Sequence, residues 1–131
     1  MDTPLNQETV NDTAKLIMHR LIVRSLARDP MLVDRAKVSL ARSSLRFPDR
    51  SFIADWEELL RLPTRELRTL LTSRDQNMRR LRLSSPFTTA EGVDFTDQTL
   101  RRRIRRAAKR IVARGSRWED GLAQGIRPLS A

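Results

Sequence analysis

Cysteine and tyrosine are absent from this sequence, and histidine occurs once, at His19. Without cysteine there is no disulfide framework, no thiolate metal site and no thiol nucleophile. A solitary histidine excludes any centre that needs two imidazoles, most zinc enzymes among them. Glycine is scarce, at four residues, which argues against a phosphate loop or a dinucleotide-binding turn. No apolar run approaches the roughly 18 residues that a membrane span needs. The opening Met1-Asp2-Thr3-Pro4 is neither basic nor followed by an apolar stretch, so it does not read as a secretory signal. The expectation is a cytoplasmic protein without membrane contact, metal, cofactor or catalytic residues.

Arginine is what the sequence has in excess. The formal charge is +10 over 131 residues, and only Lys15, Lys37 and Lys109 among its 26 basic residues are lysine. Hydrophobic residues make up 39%, enough for the modest core of one domain.

Apolar residues recur with the helical period of 3.6, which predicts an all-α fold, a bundle of five or six helices. The first spans about residues 8–27, with Val10, Ala14, Ile17 and Leu21 on one face and Met18, Ile22 and Leu26 beside them. His19 lies off that face, where a surface or boundary position fits better than metal ligation. Asp29-Pro30 ends this helix and suits the start of a second, to about residue 44, Asp as cap and Pro at the first helical position. A third, about residues 52–62, carries Phe52, Trp56, Leu59 and Leu60, with Trp56 in the core. Pro63-Thr64 opens a short fourth, about residues 65–72. Ser73-Arg74-Asp75-Gln76 has the pattern of a capping box for a fifth, to about residue 83, with Met78 and Leu81 inward and Arg74, Arg79, Arg80 and Arg82 outward.

From Ser84 to Phe95 no period is visible. A connection of this length over the surface often makes partner contacts, which nominates Phe87, Asp94 and Phe95, with Trp118 further on. Thr96-Asp97 then caps a sixth helix, about residues 97–114, with Gly115 placed as its stop. Residues 1–115 read as one helical domain and residues 116–131 as a flexible or partner-bound tail.

The charge is local. Residues 96–131 hold ten basic and three acidic residues, whereas residues 1–95 hold sixteen and thirteen. Like charges at i and i+4 on a helix repel by a few tenths of a kcal/mol per pair. An anionic partner would relieve this, and guanidinium forks match phosphate. Arg101, Arg102, Arg105, Arg106, Lys109, Arg110 and Arg114 are therefore the candidate nucleic-acid contacts. An acidic protein surface, anionic lipid or plain solvation remain alternatives for the same residues.

The other constellations carry less. Glu66 to Leu81 has the rhythm of a helix-turn-helix, and an opening Ser-Arg-x-Gln would suit base reading. Arg68 stands where a small residue is usual, however, and the turn lacks glycine, so two packed bundle helices fit better. Asp55, Glu57 and Glu58 read as a solvated helix face rather than an acid–base pair. Glu91 and Asp94 have no nearby base or nucleophile in sequence, and Ser84 and Ser85 no recognisable triad partner.

Asp29-Pro30, Val33, Ala36 and Leu40, then Trp56-Glu57-Glu58-Leu59-Leu60, Leu67, Leu71-Thr72-Ser73, Leu81-Arg82 and Ser84-Ser85-Pro86-Phe87 together resemble a small helical domain. That domain occurs in bacterial toxin–antitoxin antitoxins and related transcriptional regulators, and the likeness covers about residues 20–87. It implies a non-enzymatic module that binds a cognate, toxin-like protein and helps to repress its own operon. Two departures stand out: no helix-turn-helix precedes the shared region, and the basic helix after Phe95 lies outside the pattern. The combined expectation is an antitoxin-like regulator that binds a protein partner and DNA, with weak sequence specificity unless a homodimer sets half-site spacing. The alternative is a pure interaction protein, an inhibitor or adaptor, whose basic helix docks on an acidic surface.

Overall fold

The computed structural model describes residues 6–123, with side chains as far as Gly115. Six helices and no strand occur among the described residues: α1 (Gln7–Arg28), α2 (Leu32–Arg46), α3 (Ser51–Arg61), α4 (Thr64–Leu71), α5 (Gln76–Arg82) and α6 (Gln98–Ala123). No helix among the described residues is long and apolar enough to cross a membrane.

Local chemistry sets the boundaries. Asn6 caps α1 by accepting from the Glu8 and Thr9 amides. Asp29 accepts from the Met31 amide at 3.2 Å, so it turns the chain into α2, which itself starts at Leu32. The cap of α5 is Asp75, which accepts from the Met78 amide. The expected Ser73–Gln76 capping box is not formed: Ser73 Oγ accepts from the Asp75 amide at 3.2 Å and donates to the Asp75 carboxylate. Helix α6 runs through Gly115, the residue expected to stop it; a single glycine costs a helix interior only about 1 kcal/mol.

Helix α1 is central because two of its faces are buried. Val10 and Ala14 pack on Ile104 and Ala108 of α6, with Ile17, Met18, Leu21, Leu100 and Val112 around them. On another face Ile22 and Leu26 join the main core, built from Leu32, Ala36 and Leu40 of α2, Ile53, Trp56 and Leu60 of α3, Leu67 and Leu71 of α4, and Met78 and Leu81 of α5. His19 lies on this second face and is fully buried, which corrects its expected surface or boundary position. Phe95 touches both clusters and joins them.

The segment after α5 does not lie over the surface. Ser85, Phe87 and Ala90 are buried, and the Phe87 ring meets Trp56 edge-on at 6.2 Å. The Trp56 indole N–H donates to the Leu81 carbonyl at 3.0 Å. Phe87 is thus core and unavailable to a partner. Gly92 turns the chain at φ +87, and a Cβ there would lie 3.5 Å from the Arg35 guanidinium, which donates to the Glu91 carbonyl at 2.7 Å.

Candidate nucleic-acid interface

The basic helix is held by its apolar side. Ile104 and Ala108 are buried against α1, and Leu100 and Val112 pack beside them. At about 100° per residue, Arg102, Arg106 and Arg110 fall opposite that seam, flanked by Arg103 and Lys109. All five are exposed. The only ion pairs among the described residues, Arg35 with Asp29 and Arg80 with Asp55, lie elsewhere.

The other candidates divide. Arg101 and Arg105 flank the seam beside α1, where they and Arg102 line a shallow groove with Asn11, Lys15 and Met18. Arg105 donates to Gln7 Oε1 at 2.6 Å and to Asn11 Oδ1 at 3.2 Å. Both acceptors are neutral, so its charge is uncompensated while its direction is fixed. Contacts at the first two turns of α6 with residues 11–18, and of Arg105 with Gln7, make the two helices antiparallel. Arg114 is exposed. Arg103 was not among the sequence candidates although it sits in the same basic run; its angular position is the signal that includes it.

Of the expected partner contacts, Phe87 is excluded by burial. Asp94 is exposed, but its carboxylate accepts from the Thr96 amide and hydroxyl, which pulls its pKa below the ordinary value and fixes the entry to α6. Phe95 is half-buried between the two clusters. The side chain of Trp118 lies outside the described residues.

A second basic group escaped the reading of single helices. Arg20 of α1, Arg74 before α5 and Arg79 and Arg82 of α5 line one cleft of about 190 Å³, with Thr9, Asp12, Thr13, Leu16 and Ile111. Arg82, expected to face outward, is only 2% exposed. Its Nη1 donates to the Leu71 carbonyl at 3.2 Å and the Ser73 carbonyl at 2.6 Å, so it fastens the end of α4 to α5. Its Nε has no hydrogen-bond partner. Burial lowers the Arg82 pKa, and the charge of Arg79 adds to that.

The same packing leaves little of a helix-turn-helix. Helix α5 has seven residues, Arg82 is inside, and Arg80 is tied to Asp55 at 3.0 Å and Asn77 at 2.9 Å. No cluster of three or more His, Asp or Glu side chains that could hold a metal occurs among the described residues. Comparison with protein families, characterised proteins and solved structures gives no significant match to this chain.

Proposed function

We propose that this protein is a non-enzymatic, antitoxin-like regulator whose α6 binds the phosphate backbone of DNA. One observation carries the DNA part: Arg102, Arg103, Arg106, Lys109 and Arg110 stand exposed on the side of α6 away from its packing seam, with no acidic partner among the described residues. A row of exposed cationic side chains along one helix suits phosphate oxygens, whose contacts position a protein on the duplex without reading bases. The protein-partner half of the reading rests on the sequence resemblance alone.

Gel shifts with a short duplex over a series of salt concentrations test the DNA part. About five phosphate contacts give a log–log salt slope of roughly −4 to −5. Arg102→Gln, Arg106→Gln and Arg110→Gln together should flatten it by about 3. Absence of any shift at low salt removes DNA from the proposal.

The same exposed cationic side chains on the outer side of α6 would also suit an acidic protein surface. Co-purification with an acidic protein that survives nuclease treatment would establish that alternative.

A further inference from the structure

We propose that the cleft between α1 and α5 is a binding site for a phosphoryl group, separate from the outer face of α6. Arg20, Arg74, Arg79 and Arg82 converge there from two helices and a turn, and Asp12 is the only carboxylate in the lining. Four guanidinium groups outnumber the nearby carboxylates, Asp12 in the lining and Asp75 beside Arg82, so an anion stabilises the arrangement. Arg82 supplies the second observation: it lies in the cleft wall, is almost wholly buried, and keeps an Nε without a partner. Its anchoring by the Leu71 and Ser73 carbonyls holds the guanidinium rigidly, unlike a surface arginine. The Thr9 and Thr13 side chains add hydroxyls to the lining. The volume of about 190 Å³ corresponds to roughly six waters, room for one or two phosphoryl groups. The ligand class is therefore a phosphate or diphosphate moiety, free or at the margin of a bound nucleic acid.

Thermal unfolding of the full chain with inorganic diphosphate, at constant ionic strength, tests the site. The wild-type midpoint should rise with the logarithm of ligand concentration, by roughly 10 °C at about 100 times Kd. Arg74→Gln with Arg79→Gln, at exposed positions, should abolish the rise. Arg102→Gln, Arg106→Gln and Arg110→Gln together should leave it intact. A response to duplex DNA but not to diphosphate, lost in the double cleft variant, assigns the phosphoryl group to nucleic acid. An unchanged rise in the cleft variant, loss of the rise in the α6 variant, or no wild-type response to either ligand overturns the proposal. The gel shift with the α6 variant fails or succeeds independently of these outcomes.

A different observation carries a second inference. Met31, the N-cap of α2, and Val38 and Leu45 within it are 60%, 53% and 86% exposed and recur every seven residues, forming one line. Asp34 precedes Val38 by four residues and Arg42 follows it by four, both exposed. This pattern is its own complement. If two copies cross antiparallel on a two-fold axis at Val38, each Asp34 meets the other copy's Arg42, and each Met31 meets Leu45. Isologous interfaces require that reciprocity. We infer that α2 is a homodimer contact, which would also give the basic helices a fixed spacing. Light-scattering mass across the micromolar range should show twice the chain mass for wild type and a single chain for Val38→Asp. Asp34→Arg and Arg42→Asp should each weaken the dimer, and the two combined should restore it. A monomeric wild type, or a dimer indifferent to Val38→Asp, overturns the inference.

Discussion

Lowering the pH from 7 to 4 should remove about 3 kcal/mol of stability through His19 alone. The ring is fully buried, and Nδ1 lies 2.7 Å from the Lys15 carbonyl. A carbonyl only accepts, so Nδ1 carries the proton and Nε2 is left as a bare, unpartnered acceptor. Burial is the main cause that lowers the pKa from 6.5 to about 4, with the charges of Arg82 and Lys15 adding to it and the Lys15 carbonyl opposing it. The unfolded chain takes up a proton near pH 6.5, whereas the folded chain does so only near pH 4. Between those values the unfolded state binds more protons, so stability is fully present above the window and is lost as pH falls through it. The difference of about 2.5 units corresponds to about 3 kcal/mol at 1.36 kcal/mol per unit, a large share of the 5–15 kcal/mol typical of a domain. Urea unfolding at pH steps from 7 to 4 measures the slope, and His19→Leu should flatten it across that window. Asp29, Asp75 and Asp94, whose pKa values are lowered, lose their contributions below the unfolded carboxylate value, beneath the histidine window. Because His19 is the sole histidine, its ring protons give one NMR titration curve. A folded-state midpoint near 6.5, or an equal slope in His19→Leu, refutes the reasoning.

Other substitutions probe the packing. Phe87→Ala should cost about 3–5 kcal/mol in chemical denaturation, because the ring fills the core beside Trp56; a change under 1 kcal/mol would return it to the surface. Gly92→Ala should cost about 1–2 kcal/mol, since its φ of +87 suits glycine. Asp75→Ala should cost about 1 kcal/mol by removing the α5 cap, whereas Gln76→Ala should be nearly neutral, the reverse of what a Ser73–Gln76 capping box predicts.

The helices were legible because each carries a periodic apolar edge, and the all-helical bundle follows from that period. What escaped has identifiable causes. The second buried face of α1 was hidden because a helix packed on two sides shows no single stripe, and His19 fell outside the stripe that was visible. The inward turn at Phe87 lies in a segment without a period, so spacing could not separate a core aromatic from an exposed one. The capping register near Ser73 was ambiguous in sequence because Ser73 and Asp75 both accept backbone protons; the structure gives the role to Asp75 by turning Ser73 onto its carboxylate.

The arginines make the general difficulty concrete. A charge count treats every guanidinium as a surface group, yet several here are structural. Arg82 binds the end of α4 from inside, Arg35 ties Asp29 to the Glu91 carbonyl, and Arg80 links α5 to Asp55 of α3. Each is positioned by carbonyl or carboxylate acceptors brought together from distant parts of the chain. On α6 the side-chain acceptors engaged among the described residues are the neutral Gln7 and Asn11, both by Arg105. The unpaired positive charge of α6 therefore lies on its outer side, and composition alone did not distinguish that side from the buried Arg82.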